Sequence, residues 1–187
     1  MVFMLPMEFL APSIDDEEIS LPDQIAQLAL DPMTTIFEKP SVDERQHLKA
    51  LFTKGRVDGQ PIYKILIDGG ATVNIMPYVM YRKLGKGYQD FTKTDMMLKD
   101  VEGNVSPPKG AICVELTIGS KTLPTTFFVI NGKCAYNLLL GRDWIHANYC
   151  VPSMMHQCLV QWVGDKVEVV PRDSSYIIAS AESDTYK

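Results

Sequence analysis

A single carboxylate set between two apolar runs constrains this chain more than any other feature of its sequence. The apolar residues 65–67 lead into Asp68, which is followed by Gly69 and Gly70 and then by further apolar residues from Ala71 onward. On its own, an aspartate before two glycines is typical of a tight turn in which the carboxylate accepts backbone hydrogen bonds. The flanking apolar residues indicate instead a loop held within a sheet, where a partly buried carboxylate must find donors, share a proton or do chemistry.

Turn signals on both sides of this loop predict short strands and a short helix. An Asp58-Gly59 pair between apolar runs is a strong hairpin signal, so two strands are expected to meet there. Pro77 suits the first turn of a helix and Gly85 suits its left-handed end, so a helix of about two turns should lie between them. Asp68 would then lie at the end of a strand and shortly before a helix.

Downstream of the helix, apolar and branched residues predict further strands. Segments 96–101 and 109–118 are expected to pair as a long exposed hairpin, with Glu102, Gly103 and Asn104 at the break between them. Strands are also predicted at 125–130, 136–140 and 158–170, with a turn at Gly164-Asp165. Many short strands with few helices make a mostly β fold.

Composition and charge bound the number of domains and the kinds of partner. With 187 residues, 46% of them hydrophobic, the chain can hold one domain of middling size, which we expect at 46–172. Residues 1–45 change character repeatedly and are expected to be a partly disordered linker, and residues 173–187 a flexible tail. A net charge of −5 without a basic stripe argues against nucleic acid as a partner.

The sequence carries no signature of a membrane, secreted or metal-binding protein. It has no secretory signal and no apolar run long enough to span a bilayer, so no membrane partner is expected. Its four cysteines form no Cys-x-x-Cys pair, so we expect reduced thiols in a cytoplasmic or nuclear protein. The set His146, Cys150, His156 and Cys158 matches no structural zinc spacing and no catalytic triad, so no metal and no cofactor is predicted.

Two motifs together resemble a known family. The stretch LIDGGATVNIMP, around Asp68, resembles the active-site loop of retropepsin-type aspartic proteases, and YNLLLGRDWIH, around Gly141, resembles the second signature of that family. Most of 48–170 is similar to the protease segment of plant gypsy-type LTR retrotransposon polyproteins, with weaker likeness in the flanks. The resemblance implies a closed β-barrel, a single lobe of the acid protease fold, with one or two short helices.

The resemblance also implies roles for individual residues. Asp68 matches the catalytic aspartate, Gly70 the glycine that lets substrate and partner loop approach, and Ala71 the small residue after it. The motif that supports the active-site loop corresponds to Leu139, Leu140 and Gly141. The tip of a flap that closes over a peptide corresponds to Glu102, Gly103 and Asn104.

One aspartate is only half of the catalytic apparatus that this family uses. Hydrolysis needs one ionised carboxylate to take a proton from water and one protonated carboxyl to polarise the scissile carbonyl. Three other aspartates precede small or polar residues, but none of them follows an apolar strand run: Asp58, Asp173 and Asp184. Activity on a peptide or polyprotein substrate would therefore require a homodimer that contributes Asp68 twice.

Gly69 departs from the family pattern, which has serine or threonine at this position. In the family that hydroxyl bonds across the dimer, and losing two such bonds would cost roughly 1–3 kcal/mol of dimer or loop stability. One alternative is therefore a catalytically impaired dimerisation or peptide-binding module, or a decayed retroelement fragment. A retropepsin-like factor of the ubiquitin pathway is a further alternative, although the sequence contains no ubiquitin-like segment.

Overall fold

The computed structural model describes residues 50–100 and 103–174 of the chain. These residues form eleven β-strands and two α-helices, with a 3-10 turn at Tyr88–Asp90. In chain order the strands are β1 (Leu51–Val57), β2 (Gln60–Ile67), β3 (Ile75–Pro77), β4 (Leu98–Lys99), β5 (Val105–Ser106), β6 (Gly110–Ile118), β7 (Lys121–Ile130), β8 (Leu138–Leu140), β9 (Cys150–Ser153), β10 (Cys158–Val163) and β11 (Lys166–Pro171). The helices are α1 (Tyr78–Lys83) and α2 (Arg142–Ala147).

Some of the predictions concern residues outside the described part of the chain. The predicted linker at 1–45, residues 175–187 of the predicted tail, and Glu102 of the predicted flap all lie there. Within the described part, Asp173 is buried and donates its backbone N–H to the Phe52 carbonyl at 2.8 Å. No helix at 50–100 or 103–174 is long and apolar enough to cross a membrane.

Six strands close into a barrel in the order β1-β2-β8-β3-β7-β6. β1 and β2 are antiparallel and are joined by Asp58 and Gly59, whose φ angles of 47° and 81° suit the hairpin turn predicted there. β2 runs parallel to β8, and β3 runs parallel to β7, so segments that are distant in sequence lie side by side. The predicted fold class, a mostly β closed barrel with short helices, is confirmed.

The short helix and the later strands also follow their local signals. α1 begins directly after Pro77, and Gly85, with φ of 76°, follows its last turn. The strands predicted at 125–130 and 136–140 correspond to β7 and β8. The segment 158–170 forms the hairpin of β10 and β11, which turns at Gly164 with φ of 58°.

The pairing predicted for segments 96–101 and 109–118 is wrong. β4 pairs with β5 in a separate short hairpin, whereas β6 pairs with β7 along its whole length and with β1 on its other side. β6 needs these barrel partners because its alternate side chains, including Val114 and Leu116, are buried in the core. The exposed hairpin is therefore limited to the chain around β4 and β5.

Apolar side chains cover both faces of the barrel wall around β8. Leu138 and Leu140 belong to the larger core cluster, whereas Leu139, between them, belongs to a second cluster on the other face. All three leucines are fully buried, and each such side chain stabilises the fold by roughly 1.5–3 kcal/mol. The second cluster, called the apolar wall below, consists of Phe52, Ala71, Val73, Ile75, Leu98, Tyr136 and Leu139.

A polar network attaches the three-stranded sheet of β9, β10 and β11 to the barrel. The buried carboxamide of Gln161 accepts a hydrogen bond from Asn148 Nδ2 at 2.7 Å. It donates to the Ile118 carbonyl at 2.9 Å and to Glu168 Oε2 at 2.7 Å. Because these buried polar groups are paired with one another, the sheet packs on the barrel without leaving them unsatisfied.

Candidate active site

The loop that contains Asp68 begins where β2 ends beside β8. Asp68 donates its backbone N–H to the Leu140 carbonyl at 3.0 Å, which continues the pairing of the two parallel strands by one residue. Its Oδ1 accepts the Gly70 N–H at 2.8 Å, and its carbonyl accepts the Ala71 N–H at 3.1 Å. The carboxylate is thus fixed by its own loop, half-buried, with Gly69 and Gly70 exposed beside it.

The turn between β8 and α2 packs directly against this loop. A Cβ at Gly141 would lie 2.5 Å from the Val73 carbonyl oxygen and 2.8 Å from that of Ala71, so only glycine fits without moving backbone. Arg142 donates its backbone N–H to the Ala71 carbonyl at 2.8 Å and its guanidinium to Thr72 Oγ1 at 2.9 Å. The segment 139–141, predicted as loop support, therefore lies in contact with the Asp68 loop.

Asn74 is a second connection between these two segments, and it was not predicted from the sequence. Its side chain is 1% exposed, and its Oδ1 accepts the Gly141 N–H at 3.0 Å. Its Nδ2 donates to the Thr126 carbonyl and to Asp143 Oδ2, both at 3.0 Å. The sequence does contain one indication of this role, since Asn74 lies between the apolar residues Val73 and Ile75. An asparagine buried in such a run must find hydrogen-bond partners for its carboxamide.

The apolar wall lies beside Asp68. Tyr136 is the one residue of this wall whose side chain ends in a polar group. Tyr136 is 8% exposed, and among residues 50–100 and 103–174 its hydroxyl has no oxygen or nitrogen partner, only the Cys134 thiol, which is a weak acceptor. Burial raises the pKa of Tyr136 well above its usual range, and the Cys134 thiol and the Asp68 carboxylate reinforce the effect. The phenol is therefore a neutral donor close to the candidate catalytic carboxylate.

The predicted flap residues that the structure describes lie at the turn between β4 and β5. Gly103 has φ of 89°, and both Gly103 and Asn104 are exposed. The turn is closed by Asp100, whose Oδ1 accepts the Asn104 N–H at 2.8 Å and whose Oδ2 accepts Asn104 Nδ2 at 3.1 Å. Leu98, at the base of this hairpin, belongs to the apolar wall, so the hairpin and the wall are in direct contact.

The histidines and cysteines considered for zinc do not gather around one point. Among the described residues, no three His, Cys, Asp or Glu side chains lie close enough to hold a metal ion. His156 Nδ1 is 2.7 Å from Ser153 Oγ, in the turn between β9 and β10. Burial raises the pKa of the Cys150 thiol and of the Cys158 thiol, as expected for thiols packed near a core.

Comparisons with known proteins agree with this geometry. The sequence profile of the family described as gag-polyprotein putative aspartyl protease matches residues 53–147, just over half of the chain. That match includes both the Asp68 loop and the Gly141 turn. A search of curated protein sequences found no significant match.

The chain is also similar to several solved structures. The retroviral protease-like domain of Ddi1 from Leishmania major superposes with a TM-score of 0.51 and 18% identity, over 68% of this chain and 98% of that domain. A retropepsin-like aspartic protease from Rickettsia conorii gives 0.41 and 16% identity, over 55% of this chain and 75% of that one. EIAV protease complexed with the inhibitor HBY-793 gives 0.44 and 21% identity, over 54% and 88%.

Proposed function

This chain belongs to the gag-polyprotein putative aspartyl protease family, and from that premise we propose that it is an aspartic endopeptidase completed by a second copy of itself. The observation that carries the proposal is the position of Asp68. Its carboxylate is fixed at the end of a barrel strand, between a loop of exposed glycines and an apolar wall. A rigid carboxylate beside packed apolar side chains is suited to acid–base chemistry on a bound peptide.

The second carboxylate would come from the partner copy. A symmetric dimer brings the same loop of both chains together at the twofold axis, so Asp68 would face Asp68. Among residues 50–100 and 103–174 of a single chain, no atom outside the loop lies within 4 Å of the point where a Gly69 Cβ would be. This open space beside the carboxylate leaves room for the backbone of a partner loop.

Hydrolysis would follow from the shared proton of this pair. Two carboxylates held close together cannot both ionise easily, so one stays protonated and the pair titrates as a unit. The ionised carboxylate would take a proton from a water molecule that attacks the scissile carbonyl, while the protonated one donates a hydrogen bond to the carbonyl oxygen. The resulting tetrahedral intermediate would collapse as the C–N bond breaks and the departing amine receives the proton that the carboxylate took from water.

The substrate would be an extended peptide, and we extend the proposal to retrotransposon polyproteins of the plant gypsy type. The peptide would lie beside the apolar wall, to which the hairpin of β4 and β5 contributes Leu98. The largely apolar wall favours a peptide with mainly apolar side chains beside the scissile bond. The polyprotein origin rests on the sequence motifs around Asp68 and Gly141.

Peptide cleavage by the purified chain tests the proposal. We expect cleavage of peptides from a polyprotein-like library, loss of cleavage in Asp68→Asn, and inhibition by pepstatin-type compounds. Asp165→Asn is the matched control, because Asp165 is an exposed aspartate in the distant turn between β10 and β11 and should leave the rate unchanged. Cleavage that survives both Asp68→Asn and the inhibitor would exclude this mechanism.

Gly69 favours a second candidate function, peptide binding without turnover. The missing hydroxyl removes two hydrogen bonds across the dimer, worth on the order of 1–3 kcal/mol together. Gly69→Ser restores the hydroxyl and Gly69→Ala adds only its carbon, and within the described part of a single chain a Cβ at this position meets nothing within 4 Å. A dormant peptidase should dimerise more tightly and gain activity with serine but not with alanine. Peptide binding without cleavage in all three proteins would instead establish the second candidate.

A further inference from the structure

Tyr136 is held in a fixed position just before β8. The next residue, Asn137, donates its backbone N–H to the Lys64 carbonyl at 3.0 Å and its Nδ2 to the Tyr63 carbonyl at 2.8 Å. Both acceptors belong to β2, the strand that leads to Asp68. The tyrosine ring is therefore anchored to the same strand as the candidate catalytic carboxylate, and it packs in the apolar wall.

The hydroxyl of Tyr136 is poorly satisfied by the described residues. Its oxygen is buried, yet no oxygen or nitrogen atom at 50–100 or 103–174 meets hydrogen-bond geometry with it. The Cys134 thiol is its hydrogen-bond partner there, but sulfur is a weak acceptor. A buried hydroxyl with only a weak partner destabilises a fold, and phenylalanine would pack the same space without that penalty. A donor so weakly satisfied in an otherwise apolar wall indicates a stronger acceptor that arrives from outside.

We propose that Tyr136 determines substrate specificity by donating its hydroxyl hydrogen bond to a neutral acceptor, the side-chain carboxamide of asparagine or glutamine, beside the scissile bond. This inference rests on the proposed function, because it takes the apolar wall as the peptide-binding surface. The acceptor must be neutral for two reasons. The carboxylate of Asp68 repels an acidic side chain, and the apolar surroundings disfavour any unpaired charge.

The described base of the hairpin of β4 and β5 lies beside the phenol. Leu98 of β4 packs in the apolar wall together with Tyr136. The two strands pair through only two residue pairs, Leu98 with Ser106 and Lys99 with Val105. Opening such a short strand pair requires less free energy than opening the nine-residue pairing of β6 with β7.

Peptide binding by the Asp68→Asn chain tests the inference without requiring turnover. Two peptides would differ only at the residue beside the scissile bond, with asparagine in one and the similarly shaped leucine in the other. We expect asparagine to bind about fivefold to tenfold more tightly, and we expect Tyr136→Phe to abolish that preference. Tyr63→Phe is the matched control, because Tyr63 is 52% exposed on β2 and should leave the preference intact.

The thermal stability of the free chain supplies an independent readout. Because the hydroxyl has only a weak sulfur partner in the free protein, Tyr136→Phe should leave the melting temperature unchanged or raise it. A lowered melting temperature would mean that the hydroxyl is already well bonded inside the protein, and that result overturns the inference. Equal binding of both peptides, or no binding of either, also overturns it. Absence of cleavage by the wild-type chain counts against the proposed peptidase but leaves this binding test decisive.

Discussion

Replacing Asn74 by aspartate removes two of the three hydrogen bonds of its carboxamide while keeping its shape. The acceptor that holds the Gly141 N–H at 3.0 Å is retained, but the donor to the Thr126 carbonyl and to Asp143 Oδ2 is lost. The first lost bond is worth about 0.5–1.5 kcal/mol and the second, to a charged acceptor, about 1.5–3 kcal/mol. Since Asp143 is exposed, we take the lower part of that range and expect Asn74→Asp to destabilise the fold by about 2–4 kcal/mol at neutral pH.

The loss should depend on pH with a definite sign. The introduced carboxylate is buried beside a carbonyl and another carboxylate, so its folded-state pKa lies above the unfolded value of about 3.9. The unfolded state then ionises more readily than the folded state, and the penalty is full at neutral pH. As pH falls through the raised folded pKa, the carboxyl becomes protonated and the stability difference from wild type shrinks.

Urea unfolding at fixed protein concentration, followed by tryptophan fluorescence, measures these differences. Asn131→Asp, at an exposed asparagine after β7, is the control and should stay within about 0.5 kcal/mol of wild type. Adding Asp143→Asn to Asn74→Asp supplies an amide donor to the new carboxylate and should recover about 1–2 kcal/mol. A single Asn74→Asp variant as stable as the control, with no pH dependence, would refute the role assigned to Asn74.

Three further predictions concern packing, pH and thiol reactivity. Gly141→Ala should lower the free energy of unfolding, measured in urea, by at least about 1–3 kcal/mol, because its Cβ would meet two backbone carbonyl oxygens of the Asp68 loop. It should also lower any peptidase activity. A variant as stable as wild type would contradict this prediction. Hydrogen bonds from Gln161 and from a backbone N–H lower the pKa of Glu168 in the folded protein. Wild type should therefore be more stable than Glu168→Gln above pH 4.5, the ordinary pKa of this carboxyl. This difference in stability should disappear as the pH falls through the lowered pKa of the folded state. A margin that grows in acid would refute the assignment. The exposed Cys113 should react with iodoacetamide faster than the buried Cys150, whose thiol pKa is raised by burial, and unfolding in urea should remove the difference.

Turns and breakers were predictable from the sequence because their chemistry is local. Asp58 and Gly59 both adopt the positive φ that a two-residue hairpin requires. Pro77 precedes α1, and Gly85 follows it in the left-handed region. In each case the backbone preference of one or two residues decides the conformation, so no knowledge of distant segments is needed.

Strand pairing was not predictable in the same way. The alternating pattern of β6 requires a buried face, but it does not specify which strands lie on either side. In the structure, β6 pairs with β7 and with β1, whereas β4 pairs with β5. The parallel pairing of β2 with β8, which brings the Asp68 loop to the Gly141 turn, joins segments about 70 residues apart and has no local signal.

The candidate site shows the same division between local and distant information. Asp68 and its glycines stand out in the sequence because an apolar run ends abruptly at a carboxylate. Asn74 could have been noticed as a polar residue in an apolar run, but its partners Thr126 and Asp143 are far along the chain. Tyr136 gave no signal, since its burial and the lack of an oxygen or nitrogen partner for its hydroxyl depend on how several segments pack around it.

Mixing wild-type chains with Asp68→Asn chains tests most directly whether two copies form one active site. Subunits that exchange at equal amounts give about one quarter wild-type dimers, so activity at constant total concentration should fall to about one quarter of the pure wild-type value. Independent half-sites would instead retain about one half. The dimer account predicts the quarter, with activity following the square of the wild-type fraction. A linear dependence on that fraction, or no activity in the pure wild type, would contradict it.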